Sequence, residues 1–342
     1  MTPERMVQNF GFAIFGCGLI GNRRAASLPA GTLRYACDVD LTKAAALAGK
    51  HAGCRAIDTA EQVWSDPDVD AVIVSAANVA LAPLTLAAVR AGKHALVEKP
   101  GAISSADLKQ IAEAAEETNA KVRLGYNHRF HPAFLKLCEL QAAEDTGEFM
   151  FLRARYGHGG RTGYDREWRA DPKLSGGGEL IDQGVHLIDL ASLWLTDFTR
   201  VEGHAATYFW DMPVDDNAFV SLRDAKGRTA WLQVSCTEWK NLFSFELYFQ
   251  RAKFHVEGLG GSYGLERLYH YRMLPEMGPP ETVIYEFPRG DRSWNIELQE
   301  FLQDIGQGRP PNPGLAEGIR TLEIVEEIYR RSGYDHSAGT AK

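Results

Sequence analysis

Gly16-Cys17-Gly18-Leu19-Ile20-Gly21 sets three glycines at the spacing G-x-G-x-x-G, directly after the apolar run Phe10–Phe15 and at the opening of a helical pattern. In that context Gly16 permits a tight turn and Gly18 lets the backbone approach a pyrophosphate. Gly21 lets helix and strand pack closely, and the helix N-terminus, with Leu19 and Ile20 in its first turn, faces the anion. A second apolar run ends at Asp38, about 20 residues further on, where a carboxylate accepts hydrogen bonds from ribose hydroxyls. Asp38, with Asp40 nearby and no arginine immediately after, also repels a ribose phosphate, so the expected cofactor is NAD, with NADP disfavoured. Arg23 and Arg24, inside the first helix, are the side chains that could instead reach a phosphate.

Two further groupings carry proton chemistry. Glu98-Lys99-Pro100 closes the strand pattern Ala95–Glu98, and the carboxyl ends of parallel strands are where open α/β sheets bind ligands. Asp182 and His186 follow Gly176-Gly177-Gly178 and lie four residues apart on an expected helix, hence on one face. An imidazole titrates near neutrality and suits a general acid/base, while a lysine ammonium can stabilise negative charge developing on oxygen.

The elements that must position these groups fall into two regimes. Over the first 125 or so residues, strand patterns at Phe10–Phe15, Leu33–Cys37, Ala71–Ser75, Ala95–Glu98 and Lys121–Gly125 alternate with helix patterns at Leu19–Ser27, Thr42–Ala52, Ala82–Ala91 and Ser104–Thr118. Right-handed crossovers then give an α/β domain with a doubly wound parallel sheet over 1–127. From 128 to 342 the expectation is an α+β domain with a large, mainly antiparallel open sheet. Its strands are Phe149–Tyr156, Val201–Tyr208, Ala218–Arg223, Thr229–Thr237, Phe243–Gln250 and Ala252–Glu257, and its helices are Glu179 to about Leu195, Ser293–Ile305 and Leu315–Arg331.

Composition narrows the partners. The net charge of -8 argues against nucleic acid as a partner. The polar start Met1–Asn9, with its short apolar sequel, is too brief for a leader or a membrane span, and a cytoplasmic location is expected. Five scattered cysteines, none in a Cys-x-x-Cys pair or beside a histidine at ligand spacing, indicate reduced thiols and no metal site. The Gly/Ser/Ala-rich tail from Ser332 is expected to fray.

The ordered set of motifs resembles the Gfo/Idh/MocA family of sugar and cyclitol oxidoreductases: the glycine fingerprint, Ala91-Gly92-Lys93-His94 leading to Glu98-Lys99-Pro100, the Gly-rich Asp182…His186 helix, and Gly318-Ile319-Arg320-Thr321-Leu322-Glu323. The resemblance implies an N-terminal Rossmann domain and hydride transfer between nicotinamide and a secondary hydroxyl or ketone of a sugar, cyclitol, uronate or nucleotide-sugar. It also implies homodimers or homotetramers formed through the C-terminal sheet. Lys99, Asp182 and His186 match the family's catalytic trio, with the proton carrier either His186 or Lys99. Ser75, Asn78 and Glu98 join the cofactor contacts, although Ala76-Ala77-Asn78 and Leu81 depart from the usual Thr-Pro-Asn loop and its histidine. Members that use NAD to assist glycoside cleavage, and non-catalytic dinucleotide-responsive regulators, are the alternative readings.

On the substrate side, Asn127, His128 and Arg129 match the family's segment at the domain border. Arg153, Arg155, Arg161, Arg166 and Arg169 cluster with Tyr164 and Trp168 before the glycine-rich helix. Arginine forks suit a carboxylate or phosphate and aromatic rings suit a sugar face, so Arg161, Trp168 and Arg169 are candidate contacts to a sugar-like substrate with an anionic group, such as a uronic acid, sugar phosphate or nucleotide-sugar. The competing reading is a surface loop whose arginines pair with Asp165, Glu167 and Asp171.

Overall fold

The computed structural model describes residues 10–334; the terminal segments read as a polar start and a fraying tail lie outside them, apart from Ser332–Tyr334. Contacts divide the chain into two units. The first runs through Tyr126 and includes Trp294–Leu322; the second is Asn127–Ser293 with the residues from Glu323 on.

In the first unit, β1 (Phe12–Phe15), β2 (Leu33–Cys37), β3 (Arg55–Ile57), β4 (Ala71–Val74), β5 (His94–Glu98) and β6 (Val122–Gly125) form one sheet ordered β3-β2-β1-β4-β5-β6. Every pairing is parallel. β1 and β4 are buried at every position, the consequence of continuous apolar runs covered on both faces, and so is β6, whose Arg123 is paired with Asp304. The intervening helices are α1 (Leu19–Ser27), α2 (Leu41–Ala48), α3 (Glu61–Ser65), α4 (Asn78–Arg90) and α5 (Ser105–Thr118). Ser104 caps α5 by accepting from the Asp107 amide at 3.2 Å, and Asn119 ends it in the left-handed region. α4 starts four residues earlier than its pattern suggested, with Pro83 accommodated inside the helix.

The second unit carries α6 (Pro132–Ala143), β7 (Phe149–Gly157), α7 (Pro172–Ser175), a π-helical turn at Leu180–Gly184 and α8 (Val185–Ala191). Its strands continue with β8 (Phe198–Ala206), β9 (Asn217–Asp224), β10 (Thr229–Ser235), β11 (Leu242–Phe249), β12 (Ala252–Glu257), β13 (Glu266–Arg272) and β14 (Glu281–Phe287). The sheet order is β14-β13-β12-β11-β7-β10-β9-β8, antiparallel except where β7 and β10 run side by side. β11 alternates buried and half-buried residues, as a strand with one covered face must. The other face shows Phe151 stacked on Tyr248 at 4.4 Å and an exposed Trp231.

Two helices close the chain, α9 (Ser293–Gln307) and α10 (Leu315–Ser332). The sequence reading placed everything after residue 128 in one domain. α9 instead buries Leu298 and Phe301 in the cluster that holds Phe12, Ile14, Leu33 and Leu96, the core of the parallel sheet. Buried ion pairs fix it there, Glu297 with Arg24 and Asp304 with Arg123, each at 2.5 Å. β3, α3, α6, α7, β13 and β14 had no counterpart in the sequence reading.

Candidate active site

The glycine loop at the end of β1 is built as its spacing requires. Gly16 has φ +89°, and a side chain there would meet the Ser75 carbonyl oxygen at 2.5 Å. A methyl group on Gly21 would lie 2.0 Å from the Gly16 carbonyl oxygen, while one on Gly18 would meet nothing within 4 Å. Gly18 therefore leaves open the space that a pyrophosphate needs at the N-terminus of α1, which starts at Leu19 with Ile20 beside it. Asp38 supports the loop from the end of β2, accepting from the Cys17 amide at 2.7 Å and the Asp40 amide at 2.9 Å. Burial, and then Asp38, pushes the Cys17 thiol up to about 12, so it stays protonated. The Ser75 hydroxyl donates to the Gly16 carbonyl at 2.9 Å, and Asn78 opens α4 as a buried residue. These residues fit a dinucleotide: an open cradle, a helix N-terminus and a strand-end carboxylate.

Glu98 and Arg24 have other employment. Arg24 is 1% exposed, pairs with Glu98 at 2.5 Å and Glu297 at 2.5 Å, and packs on the Trp294 ring at 4.4 Å. The reading that let it reach a phosphate is thereby corrected, since the guanidinium is consumed neutralising two buried carboxylates. Glu98 anchors the end of β5, and Lys99 follows it in the turn to a cis Pro100.

In the second unit the Gly-rich segment leads into the π-helical turn that carries Asp182, and His186 lies in the first turn of α8. Single π-turns concentrate at functional sites because the widened turn re-aims its side chains. Both residues are buried, at 8% and 4% exposure. Asp182 faces Arg169 at 3.2 Å, and Arg169 in turn lies over the Trp168 ring at 4.5 Å. His128 stacks flat on His186, with centroids 3.7 Å apart and planes 18° apart. Burial, Tyr263 and the Asp182 and Glu179 carboxylates drive the Tyr156 phenol well above its ordinary range. Tyr156 therefore stays protonated, leaving imidazole as the proton-accepting group among these rings.

The remaining substrate-side candidates are distributed unevenly. The Asn127 amide donates to Ser293 at 2.8 Å, and Arg129 makes a two-pronged bond to Asp189 at 2.7 and 2.6 Å. Arg153, Arg155 and Arg161 pair with Glu246, Glu238 and Glu167. The arginine cluster is thus largely spent on carboxylates, of which only Glu167 was among the partners the sequence suggested. An anionic substrate group would have to displace them.

Three supports went unnoticed in the sequence. Asp215, fully buried, accepts from the Gly178 amide at 2.9 Å, the Leu180 amide at 2.8 Å and the Tyr329 hydroxyl at 2.6 Å. Burial pushes its carboxyl up to about 6 against those hydrogen bonds. Tyr329 also touches the Gly178 and Ile181 amides at 3.1 and 3.3 Å, and a side chain on Gly177 would lie 2.4 Å from its hydroxyl. Glu179 accepts from the Tyr164 hydroxyl at 2.7 Å and lies 3.4 Å from His158. Burial opposes the charge on His158, yet Glu179 prevails and raises it above the ordinary imidazole value.

A parallel sheet in this strand order with such a glycine loop defines a dinucleotide-binding oxidoreductase fold, here joined to a unit bearing a buried carboxylate and imidazole. Residues 10–126 match the oxidoreductase family with an NAD-binding Rossmann fold, and residues 134–255 match the GFO/IDH/MocA C-terminal domain. The chain belongs to the Gfo/Idh/MocA oxidoreductase family. It is 29% identical over 81% of its length to dTDP-3,4-didehydro-2,6-dideoxy-alpha-D-glucose 3-reductase of Streptomyces violaceoruber, covering 81% of that protein. It is 27% identical over 93% of its length to D-glucoside 3-dehydrogenase of Escherichia coli, covering 94% of it. Its fold resembles that of levoglucosan dehydrogenase in complex with NADH, with TM-score 0.82, 20% identity, and 95% and 98% of the two chains covered. Among the described residues no group of three or more His, Cys, Asp or Glu could hold a metal ion, and no helix is long and apolar enough to cross a membrane.

Proposed function

We propose that this oxidoreductase transfers a hydride between NAD and a secondary hydroxyl, or the corresponding ketone, of a sugar-like substrate, with Lys99, Asp182 and His186 as its catalytic residues. The observation that carries the reading is the buried His186 imidazole on the helix turn after Asp182, walled by protonated Tyr156 and stacked on His128. When bound, nicotinamide supplies or accepts the hydride. In the oxidative direction His186 takes the hydroxyl proton as the carbonyl forms, and in the reductive direction it returns it. Asp182 accepts a hydrogen bond from a neighbouring hydroxyl, and Lys99 stabilises negative charge on the reacting oxygen. Gly16, Gly18, Leu19, Ile20 and Gly21 hold the pyrophosphate, Asp38 the adenosine ribose, and Ser75, Asn78 and Glu98 line the crevice or support it. The charge of Asp38 favours NAD over NADP.

Substrate class follows the named activities of the relatives, which include a dTDP-sugar reductase, an inositol dehydrogenase and a glucoside dehydrogenase. Asp182, Arg169 and Trp168 are the first candidates for sugar contacts, a polar group and a flat ring in one cluster. The ion-paired state of the arginines favours a neutral polyol or glycoside over a uronate. Self-association into a dimer or tetramer through the aromatic face of the β7–β11 sheet, and a cytoplasmic location, complete the proposal.

The test is a panel of sugars, glycosides, cyclitols and nucleotide-sugars with both coenzymes, followed by absorbance of the reduced nicotinamide. Turnover with NAD is expected, and it should vanish in Lys99→Ala and His186→Ala while NADH binding survives. Full turnover in both variants would refute the assignment, and a cleaved glycoside without net coenzyme reduction would favour redox-assisted glycosidase chemistry.

A further inference from the structure

We infer that His128 acts on the reaction through His186 as a positioning residue: it is a neutral imidazole whose face holds the catalytic ring and favours its protonated form. The inference rests on the reading of His186 as proton carrier. Hydrogen-bond directions around His128 fix its tautomer. Asp291 carries a carboxylate, so the Ser293 hydroxyl, 2.6 Å from it, must donate. Ser293 Oγ is then left to accept, and the Asn127 amide NH2, 2.8 Å away, donates to it. The carbonyl oxygen of Asn127 consequently points to His128 Nδ1 at 3.2 Å, so Nδ1 carries the hydrogen.

That imidazole lies flat on His186, 3.7 Å away. Two positive rings at this separation in a buried site repel strongly, so the stack holds one proton and not two. A proton on His186 is favoured by the stack. It faces the π-cloud of neutral His128, and Asp182 precedes it by four residues on the adjoining π-helical turn. Arg169 partly offsets Asp182 at 3.2 Å, and Tyr156, at 6.3 Å from His186, is held neutral. His131 meets His128 edge-on at 5.6 Å and is bonded to Glu266 at 3.0 Å, with Asp291 at 3.9 Å. Arg129, next in sequence, is neutralised by Asp189. Both groups beside His128 are thus matched by carboxylates.

The experiment is the pH dependence of kcat and KM for the NAD-linked oxidation in three variants. His128→Ala removes the face; the expected result is a fall in kcat of about tenfold or more with KM little changed, and an acid limb displaced down by about one pH unit, the worth of a desolvated cation–π contact. His128→Phe restores a neutral face and should recover most of kcat and the wild-type acid limb. His128→Arg places a fixed charge against the ring and should displace the acid limb further than His128→Ala does. Unchanged acid limbs in all three would overturn the inference while leaving His186 as the proton carrier; active His186→Ala would sink that prior reading instead. Should the variants fail to fold, an imidazole nitrogen NMR titration of the wild-type protein decides. His186 should gain its proton first with His128 remaining the Nδ1–H tautomer, and the opposite order would overturn the inference.

Discussion

Replacing Tyr329 by Phe removes one oxygen from the support of the segment that carries Asp182 and His186, and its cost should depend on pH. In the wild-type protein the hydroxyl donates to Asp215 at 2.6 Å and lies 3.3 Å from the Ile181 amide. A hydrogen bond to an ionised group contributes about 1.5–3 kcal/mol and one between neutral groups about 1 kcal/mol. The Asp215 carboxyl has its folded value raised to about 6 from the ordinary 3.8. A carboxyl so raised contributes stability that is fully present below 3.8 and is lost as pH rises through about 6; the gap corresponds to about 3 kcal/mol. Because Tyr329 lowers the Asp215 value, its removal raises that value further and deepens the loss on the alkaline side. The expected destabilisation is about 1 kcal/mol at about pH 5, growing to about 2–4 kcal/mol at about pH 8. Urea unfolding followed by tryptophan fluorescence at both values measures it. An equal loss at the two pH values would refute the charge-assisted bond, and a normal kcat in the variant would refute the claim that this support positions Asp182 and His186.

Three other outcomes follow from the first unit. Gly18→Ala should leave thermal stability unchanged, because the added methyl meets nothing, yet weaken NADH binding tenfold or more, corresponding to about 1.4 kcal/mol; equal affinity measured by fluorescence titration would argue against a pyrophosphate at this loop. Asp38→Asn, which keeps an acceptor for one amide while removing the charge, should narrow the preference for NAD over NADP by about ten- to a hundredfold; an unaltered ratio of kcat/KM values would place the selectivity elsewhere. Arg24→Met strands Glu98 and Glu297 in the core and should cost about 3–5 kcal/mol, partly recovered by adding Glu297→Gln; equal melting temperatures for the single and double variants would show that the two carboxylates are not what the guanidinium neutralises.

The parallel sheet was legible because its determinants are local. β2 and α1 appear with the bounds expected of them, since continuous apolar runs and a glycine turn leave few other conformations for those residues. β13 and β14 were not, because Glu266–Arg272 and Glu281–Phe287 mix charged and aromatic residues, and β13 finds its register only against β12 and β14 only against β13. α9 shows another limit: its periodicity predicts a helix, but which core receives Leu298 and Phe301 depends on partners such as Arg24, far away in the chain.

The site divides along the same line. Glycines, the Glu98-Lys99-Pro100 turn and the Asp182…His186 pair need fixed short spacings, and spacing is what a sequence displays. The groups that hold them do not. Asp215 reaches back 37 residues to Gly178, Tyr329 reaches 151, and Arg24 reaches forward 74 to Glu98. A local cue did exist, for the run Gly176-Gly177-Gly178 is costly in conformational entropy and is tolerated where something must come close. What comes close are the Tyr329 hydroxyl, 2.4 Å from where a Gly177 side chain would be, and the Asp215 backbone, 1.8 Å from the equivalent point on Gly178. The glycines thus give up side chains so that a buried carboxylate and a phenol can take the first amides of the helix, and the orientation of Asp182 and His186 is inherited from that grip.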